Sequence, residues 1–152
     1  MPINDVPQGA TLRPYDQLNG YSITYVGLIG GMSAAFVTLI AAAYRTEDFK
    51  TAGADGYHYR DIPAVKIARM ASDVRYQRIG GGRTLLKYSL AVALSVKQKV
   101  GCRLLVTDAL PERIDWYIQR GFSLTTDSKR TAPGRKAYPM HADLQGSIEH
   151  YP

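Results

Sequence analysis

The stretch Gln77, Arg78, Ile79, Gly80, Gly81, Gly82, Arg83, with Thr84 behind it, is where residue type and spacing point most directly to chemistry. Three consecutive glycines let successive amide N–H groups converge on one point. A helix beginning there adds partial positive charge, so the turn suits a cluster of anionic oxygens, and pyrophosphate is the natural guest. Arg75, Arg78, Arg83 and Lys87 surround the turn with cations for further phosphate oxygens. For an isolated glycine triplet the plain alternative is a flexible turn flanked by solvent-facing arginines. The position of this one, between a buried strand and a long helix, favours the anion site. It is not a dinucleotide fingerprint, because no strand ending in an acidic residue follows at ribose-binding spacing, and the lysine of a nucleotide-triphosphate loop is missing.

The elements that must position this turn are legible on either side. Ala64–Ser72 reads as a buried central strand, with Val65, Ile67 and Ala71 on one side and Ala68 and Met70 on the other. The polar stretch Asp73–Gly82 leads into a helix over Arg83–Val100, where Leu86, Leu90, Ala93 and Leu94 recur at helical spacing before Gly101 closes it. A strand is expected at Cys102–Thr107, a helix from Pro111 to Arg120 with Gly121 at its exit, and strands at Phe122–Leu124 and Ala137–Leu144. Pro139 predicts an edge or a bulge for the last of these. Upstream, Tyr21–Ile29 and Met32–Ile40 form a hairpin about Gly30 and Gly31. Residues 1–16 read as an irregular lead-in, 46–61 as a polar excursion, and Thr125–Lys136 as a basic loop. The expected architecture is a mixed α/β (α+β) arrangement about one sheet, in a single domain over residues 1–152.

Composition narrows the class. A chain of 152 residues with 45% hydrophobic and 21% charged residues is that of an ordinary globular protein. One cysteine, Cys102, allows neither an internal disulfide nor the paired thiolates of a structural zinc site, so a reducing, cytoplasmic setting is expected. The formal charge of +6 favours anionic partners. From Gln17 to Tyr44 no side chain is charged, a length that could span a bilayer. Its glycines and hydroxyl residues lower both hydrophobicity and helix propensity, so two strands fit better and no membrane partner is expected. The opening residues lack a basic region followed by an apolar core, so no signal peptide is expected.

These residues resemble the Gcn5-related N-acetyltransferases. Their acetyl-coenzyme A motif, Gln or Arg, two residues, Gly, one residue, Gly or Ala, is matched by Gln77, Gly80 and Gly82 after a strand. "GCRLLVTDA" from Gly101 and "WYIQRGF" from Trp116 are similar to the family's later strand and its aromatic-Tyr helix, so the likeness covers Ile62–Phe122. It implies a mostly antiparallel sheet flanked by helices, with two strands splayed into a wedge for acetyl-coenzyme A. Met70, Ala71 and Ser72 would bond the pantetheine arm, and Arg78 to Arg83, with Thr84, would hold the pyrophosphate. A backbone N–H near Met70 would face the oxyanion, and Tyr117 would protonate the departing thiolate as general acid. The other reading of Tyr117 is a packed aromatic with its hydroxyl bonded to a neighbour.

The chain also departs from the family. Its strand carries no glutamate to act as general base, Arg78 stands where glycine is frequent, and Gly81 replaces an apolar residue. The N-terminal third matches no motif and has little room for two helices after a first strand, which leaves the acceptor side of the site open. Without a base, acceptors of low pKa gain ground, because an α-amine at about 7.7–8.0 is substantially free at neutral pH and a lysine at about 10.4 is not. The branch that acetylates the α-amine of aminoacyl-tRNA, often as a toxin, carries segments similar to "KIARMASDVRYQ". The acceptor is thus a primary amine of unknown identity, with charged tRNA as one alternative and a non-catalytic acyl-coenzyme A binding module as another. Lys129, Arg130, Arg135 and Lys136 could meet RNA phosphates, though a solvated loop is the plainer reading. Asp61, His58 and Asp73 are candidate bases through water, Asp73 being better suited to a turn or cap. His141 and His150 lack metal-ligand spacing, so no metal is expected. Cys102 and Trp116 read as packing residues, and a homodimer is expected from the family and from exposed strand edges.

Overall fold

The computed structural model describes residues 14–49, 59–125 and 136–145. Helix α1 (Pro14–Leu18) precedes strands β1 (Ile23–Ile29), β2 (Met32–Arg45) and β3 (Asp61–Ser72). Helix α2 (Gly81–Lys99), β4 (Leu104–Ala109), α3 (Ile114–Ile118), β5 (Ser123–Leu124) and β6 (Tyr138–Asp143) follow. The strands make one six-stranded sheet in the order β1-β2-β3-β4-β6-β5, antiparallel in the β1–β2, β4–β6 and β5–β6 pairs. The expected succession of strands and helices in a mixed α/β fold is therefore present. Among the described residues no helix is long and apolar enough to cross a membrane. The uncharged run forms α1 and the β1–β2 hairpin, whose turn residues Gly30 and Gly31 sit at φ 56° and 79°. Both signs match the positive φ that a two-residue hairpin turn requires.

The chain forms two compact units. The first holds the described residues up to Ala41 and those of Ile67–Val92. Its buried residues include Ala34–Val37 and Leu39 of β2, Ile67 of β3, and Leu85, Leu86 and Leu90 of α2. Burial of one leucine adds about 1.5–3 kcal/mol, more than the ~1 kcal/mol that each helical glycine costs. Helix α2 therefore tolerates two glycines in its first turn because its leucines are packed. Within β2 the pairing with β1 shifts between Gly27 and Leu28, which leaves Ala34 as an extra residue, a bulge. The Ala34 carbonyl accepts the Asp73 N–H at 2.8 Å, fastening the end of β3 to the bulge.

The second unit holds the described residues of Ala42–Lys66 and those from Ala93 onward. Ile62, Ala64, Leu104 and Val106 form a buried cluster against Ala42 and Tyr44. Strands β4 and β6 pair from Leu104↔Asp143 to Ala109↔Tyr138, and Arg103 grips Asp143 with two hydrogen bonds of 2.8 and 2.9 Å. Gly101, at φ 96°, ends α2 with its N–H and that of Val100 on the Val96 carbonyl, the left-handed glycine stop the sequence indicates.

Several boundaries differ from expectation. Residues 14–16 of the supposed irregular lead-in belong to α1, and β2 continues five residues beyond Ile40. Strand β3 starts at Asp61, inside the supposed excursion. The Cys102–Thr107 strand is displaced to Leu104–Ala109, because Cys102 and Arg103 follow a glycine helix stop and bond to β3 at Val65 and Pro63 before the regular strand begins. The helix after Leu110 opens as a 3₁₀ turn at Pro111–Arg113 and is regular only over Ile114–Ile118. Pro139 is not on the outer strand, since β6 lies between β4 and β5. The Pro139 carbonyl accepts the Thr125 N–H at 3.0 Å. A residue's N–H and C=O leave a strand on the same side, so its missing donor faces beyond the last β5 pair, Leu124↔Met140.

Candidate functional site

In the first unit β3 delivers Met70, Ala71 and Ser72, each half-buried, to its C-terminal end. Asp73 follows, only 2% exposed. Its carboxylate accepts the Arg75 N–H at 2.8 Å and the Arg75 guanidinium at 3.0 and 2.8 Å. Those bonds from the Arg75 side chain and N–H hold the carboxyl well below the carboxylate range, at about 2. An acid that strong is a poor base at neutral pH. Asp73 is therefore the cap of the 3₁₀ turn Val74–Tyr76, as its residue type suggests, and not the missing base. The same bonds tie down Arg75, which leaves three cations at the turn. Arg78, Arg83 and Lys87 are exposed and have no carboxylate within ion-pair distance among the described residues.

The turn itself is not the three-glycine loop the letters suggest. Helix α2 begins at Gly81, so Gly81 and Gly82 are its first residues. Gly80 alone of the three has positive φ, 89°, and Arg78 shares that region at 67°. A left-handed conformation costs a non-glycine residue about 1–2 kcal/mol, so the arginine that replaces a frequent glycine stands where glycine would be unstrained. The Thr84 N–H donates to the Gly80 carbonyl at 2.9 Å as the first bond of the helix. The amides of Gly81, Gly82 and Arg83 precede that bond and face outward along the axis, whereas the Thr84 amide is consumed and can bind nothing else. A Cβ on Gly81 would stand 3.6 Å from Ser72 Oγ and 3.8 Å from Ala35 Cβ, ordinary contacts that place the helix start beside the end of β3. Gln77 is exposed with extended backbone at φ −65°, ψ 151°, and Ile79 is exposed.

Tyr117 lies in the second unit, on α3, and is 7% exposed. Its ring meets Trp116 and Phe122 edge-on at 4.9 and 5.3 Å. Trp116 is in turn covered by the Arg120 guanidinium, 4.0 Å from the ring centroid. The Tyr117 hydroxyl is hydrogen-bonded to the side chain of Thr107, a buried residue of β4. Burial pushes the phenol pKa up, partly offset by Thr107 and Arg113, so the group holds its proton. The hydroxyl thus has the partner that the packing reading requires and the protonation state that a proton donor requires. Nothing in the spacing of the sequence identified Thr107. Gly121, at φ 87°, and the Phe122 N–H on the Tyr117 carbonyl at 3.1 Å end α3 sharply and fix the tyrosine's place.

The remaining candidates do not join either cluster. Asp61 is the exposed first residue of β3, in the second unit. His58, Lys129, Arg130, Arg135 and His150 lie outside the described residues. Buried His141 has its Nδ1 3.4 Å from Thr125 Oγ1, and burial lowers its pKa. Cys102 is buried with its thiol on the Leu104 carbonyl and its pKa raised, a packing residue in position and chemistry. Among the described residues no group of three or more His, Cys, Asp or Glu could hold a metal ion.

No protein-family model matches the chain, and no curated protein matches it in sequence. Solved structures do match in fold. A crystal structure of a bacterial toxin superposes with a TM-score of 0.74 at 21% identity, over 86% of this chain and 72% of the toxin. AtaT complexed with acetyl-methionyl-tRNAfMet gives 0.71 at 20% identity, over 86% of this chain and 76% of AtaT. A Tyr-to-Phe mutant of KacT gives 0.73 at 17% identity with the same coverages, 86% and 76%. AtaT has also been solved with acetyl-coenzyme A and the C-terminus of the antitoxin AtaR. The chain shares the fold of these toxins.

Proposed function

We propose that the chain is an acetyl-coenzyme A dependent N-acetyltransferase whose acceptor is the α-amine of an aminoacyl-tRNA. The observation that carries this reading is the turn after β3. Gly80 in the left-handed region hands the strand to α2, so that the Gly81, Gly82 and Arg83 amides project from a helix start ringed by Arg78, Arg83 and Lys87. That donor set fits a diphosphate, which needs several convergent N–H groups and mobile cations. The likeness in fold to AtaT bound to acetyl-methionyl-tRNAfMet supports the acceptor class.

The cosubstrate would supply the activated acetyl thioester. The protein's part is to hold the diphosphate at the α2 start, to align the pantetheine arm along Met70, Ala71 and Ser72, and to keep a proton on Tyr117 Oη for the sulfur that leaves. The raised phenol pKa suits that duty, because the donor must still be protonated when the thiolate forms. Asp73, the carboxylate that follows β3, is committed to Arg75 and is a poor base, which suits an acceptor amine with pKa about 7.7–8.0 over a lysine side chain at about 10.4.

The test is translation in a cell-free extract programmed with the purified chain. Acetylated aminoacyl-tRNA should accumulate and protein synthesis should stop. Tyr117→Phe, which keeps the ring contacts with Trp116 and Phe122, should lower the acetylation rate by about 10²-fold or more and destabilise the fold by only about 0.5–1.5 kcal/mol through the lost Thr107 bond. Full activity in Tyr117→Phe would reduce the tyrosine to a packing residue. Tight coenzyme A binding with no free thiol released across aminoacyl-tRNAs and small amines would favour a non-catalytic binding module.

A further inference from the structure

We infer that Asp108 is the carboxylate that binds the acceptor, its Oδ1 receiving the α-amine of the aminoacyl group on the face of β4 opposite to Tyr117. The inference rests on acetyl transfer to an aminoacyl-tRNA and adds the residue that meets the amine. Side chains alternate between the two faces of a strand. On one face of the second unit the row Ile62, Ala64 of β3 continues to Lys66, the row Leu104, Val106 of β4 continues to Asp108, and Ala42 of β2 is followed by Tyr44. The buried apolar cluster thus ends in three polar groups on three neighbouring strands. Lys66 Nζ donates to Asp108 Oδ2 at 2.7 Å and is also hydrogen-bonded to the Tyr44 hydroxyl. Burial works against the lysine's charge, but Asp108 and Tyr44 outweigh it and leave the pKa raised, so Lys66 holds its proton. Asp108 Oδ1 has no hydrogen-bond partner among the described residues, and its side chain is 45% exposed against 26% for Lys66.

The place of Asp108 on β4 gives that oxygen its use. Thr107, the residue before it, points to the other face and there bonds the Tyr117 hydroxyl. One strand therefore carries the anchor of the proton donor and a carboxylate on its two sides, one residue apart. Acyl transfer needs such a division, because nucleophile and leaving group occupy different corners of a tetrahedral carbon. The group that meets nitrogen must stand apart from the phenol that protonates sulfur. A carboxylate accepts hydrogen bonds only, and with Oδ2 held by Lys66 its other oxygen is a fixed site for an N–H donor. Lys66 is spent on its two partners, so the cluster suits an amine and not a phosphate. An α-amine with pKa about 7.7–8.0 passes between cation and free base near neutral pH, and the carboxylate accepts from either form. Asp108 takes no proton in the step. The N–C bond forms as the C–S bond breaks, Tyr117 gives its proton to sulfur, the nitrogen sheds one to water, and water returns one to the phenolate.

The test compares binding of aminoacyl-tRNA with binding of the same tRNA esterified by the corresponding 2-hydroxy acid, which lacks the amine. Wild type should prefer the amine by about tenfold or more, as a hydrogen bond to a charged group allows. Asp108→Asn should bring that ratio close to one and lower kcat/KM for aminoacyl-tRNA by a similar factor. Its affinity for acetyl-coenzyme A and its circular dichroism should stay unchanged, since a partly exposed ion pair contributes little to folding. Asp108→Glu, which keeps the charge, should recover part of the ratio. Lys66→Met keeps the carboxylate and should keep most of the preference, and Tyr117→Phe should lose rate with the ratio intact. An active wild type whose ratio survives Asp108→Asn overturns this inference alone. Equal loss of the preference in Lys66→Met and Asp108→Asn also overturns it, because the pair is then structural. A wild type that acetylates no aminoacyl-tRNA removes the reading on which the inference rests, and the inference with it.

Discussion

At the scale of single residues, Asp73 shows how a local bond decides a chemical role. Its position just after the strand would suit a base, but two bonds from the Arg75 guanidinium and one from the Arg75 N–H commit both oxygens and hold the carboxyl at about 2. In the unfolded chain the same group titrates near 3.9. A carboxyl whose pKa is lowered by folding stabilises the native state above its unfolded value, and that contribution is lost as pH falls through the interval from about 3.9 to about 2. Asp73→Asn should therefore be markedly less stable than wild type at pH 7, and the gap should close towards pH 2. Urea unfolding midpoints across this range measure it, and a gap independent of pH would remove the ionic role. Asp143 is also held below the usual carboxylate value by Arg103, so the variant keeps a residual dependence of stability on acidification. His141 acts in a different interval. Its pKa is lowered by burial, so its neutral form stabilises the fold above about 6.5, and the effect declines on acidification from there.

At the scale of the element, the strand-turn-helix unit is defined by backbone angles more than by glycine count. Gly80 and Arg78 occupy the left-handed region, while Gly81 is helical with room for a Cβ. Gly80→Ala should lose about 1 kcal/mol or more, and Gly81→Ala should gain up to about 1 kcal/mol, because alanine is the better helix former. Arg78→Gly should change stability by less than about 1 kcal/mol, strain relief being offset by the greater entropy of unfolded glycine. Arg78→Val should be worse than either, since a β-branched side chain suits that φ least. Chemical denaturation of the four variants tests the series, and a destabilised Gly81→Ala would show that the helix start is tighter than its contacts indicate. Coenzyme A binding by Arg78→Gly would then report the arginine's charge with little contribution from strain.

At the scale of the whole molecule, charge is unevenly distributed along the chain. Between Arg69 and Lys99 the only acid is Asp73, already matched by Arg75, whereas the run from Gln17 to Tyr44 carries no charge at all. Anions should accordingly be drawn to the segment that contains α2, and if the acceptor is an aminoacyl-tRNA, as proposed, its binding should weaken steeply with salt. Each phosphate neutralised releases counterions, with a slope of about −0.7 to −0.9 in log K per log salt for every contact. Filter binding over a salt series measures the slope, and replacing Lys87 by Gln should reduce it by about one contact if α2 meets RNA. An unchanged slope would reserve that lysine for the cosubstrate or for solvent.

What the chain's letters determine by themselves is whatever depends on neighbours a few positions away. The hairpin about Gly30 and Gly31, the long helix closed by Gly101, the sharp end of α3 at Gly121 and the capping duty of Asp73 all rest on local φ preferences, short-range hydrogen bonds or hydrophobic period. Each was therefore legible from its own segment. The start of α2 was misread by two residues because glycines are poor helix formers, and only the burial of Leu85, Leu86 and Leu90 reveals why a helix begins on them. Pro139 read as an edge signal because sequence cannot show that β5 ends one pair before it. The bond between Thr107 and Tyr117 joins residues ten apart on different elements, and the bulge at Ala34 that receives Asp73 joins residues still further apart. Such contacts depend on which faces the sheet and helices bring together, so only the tertiary structure decided them.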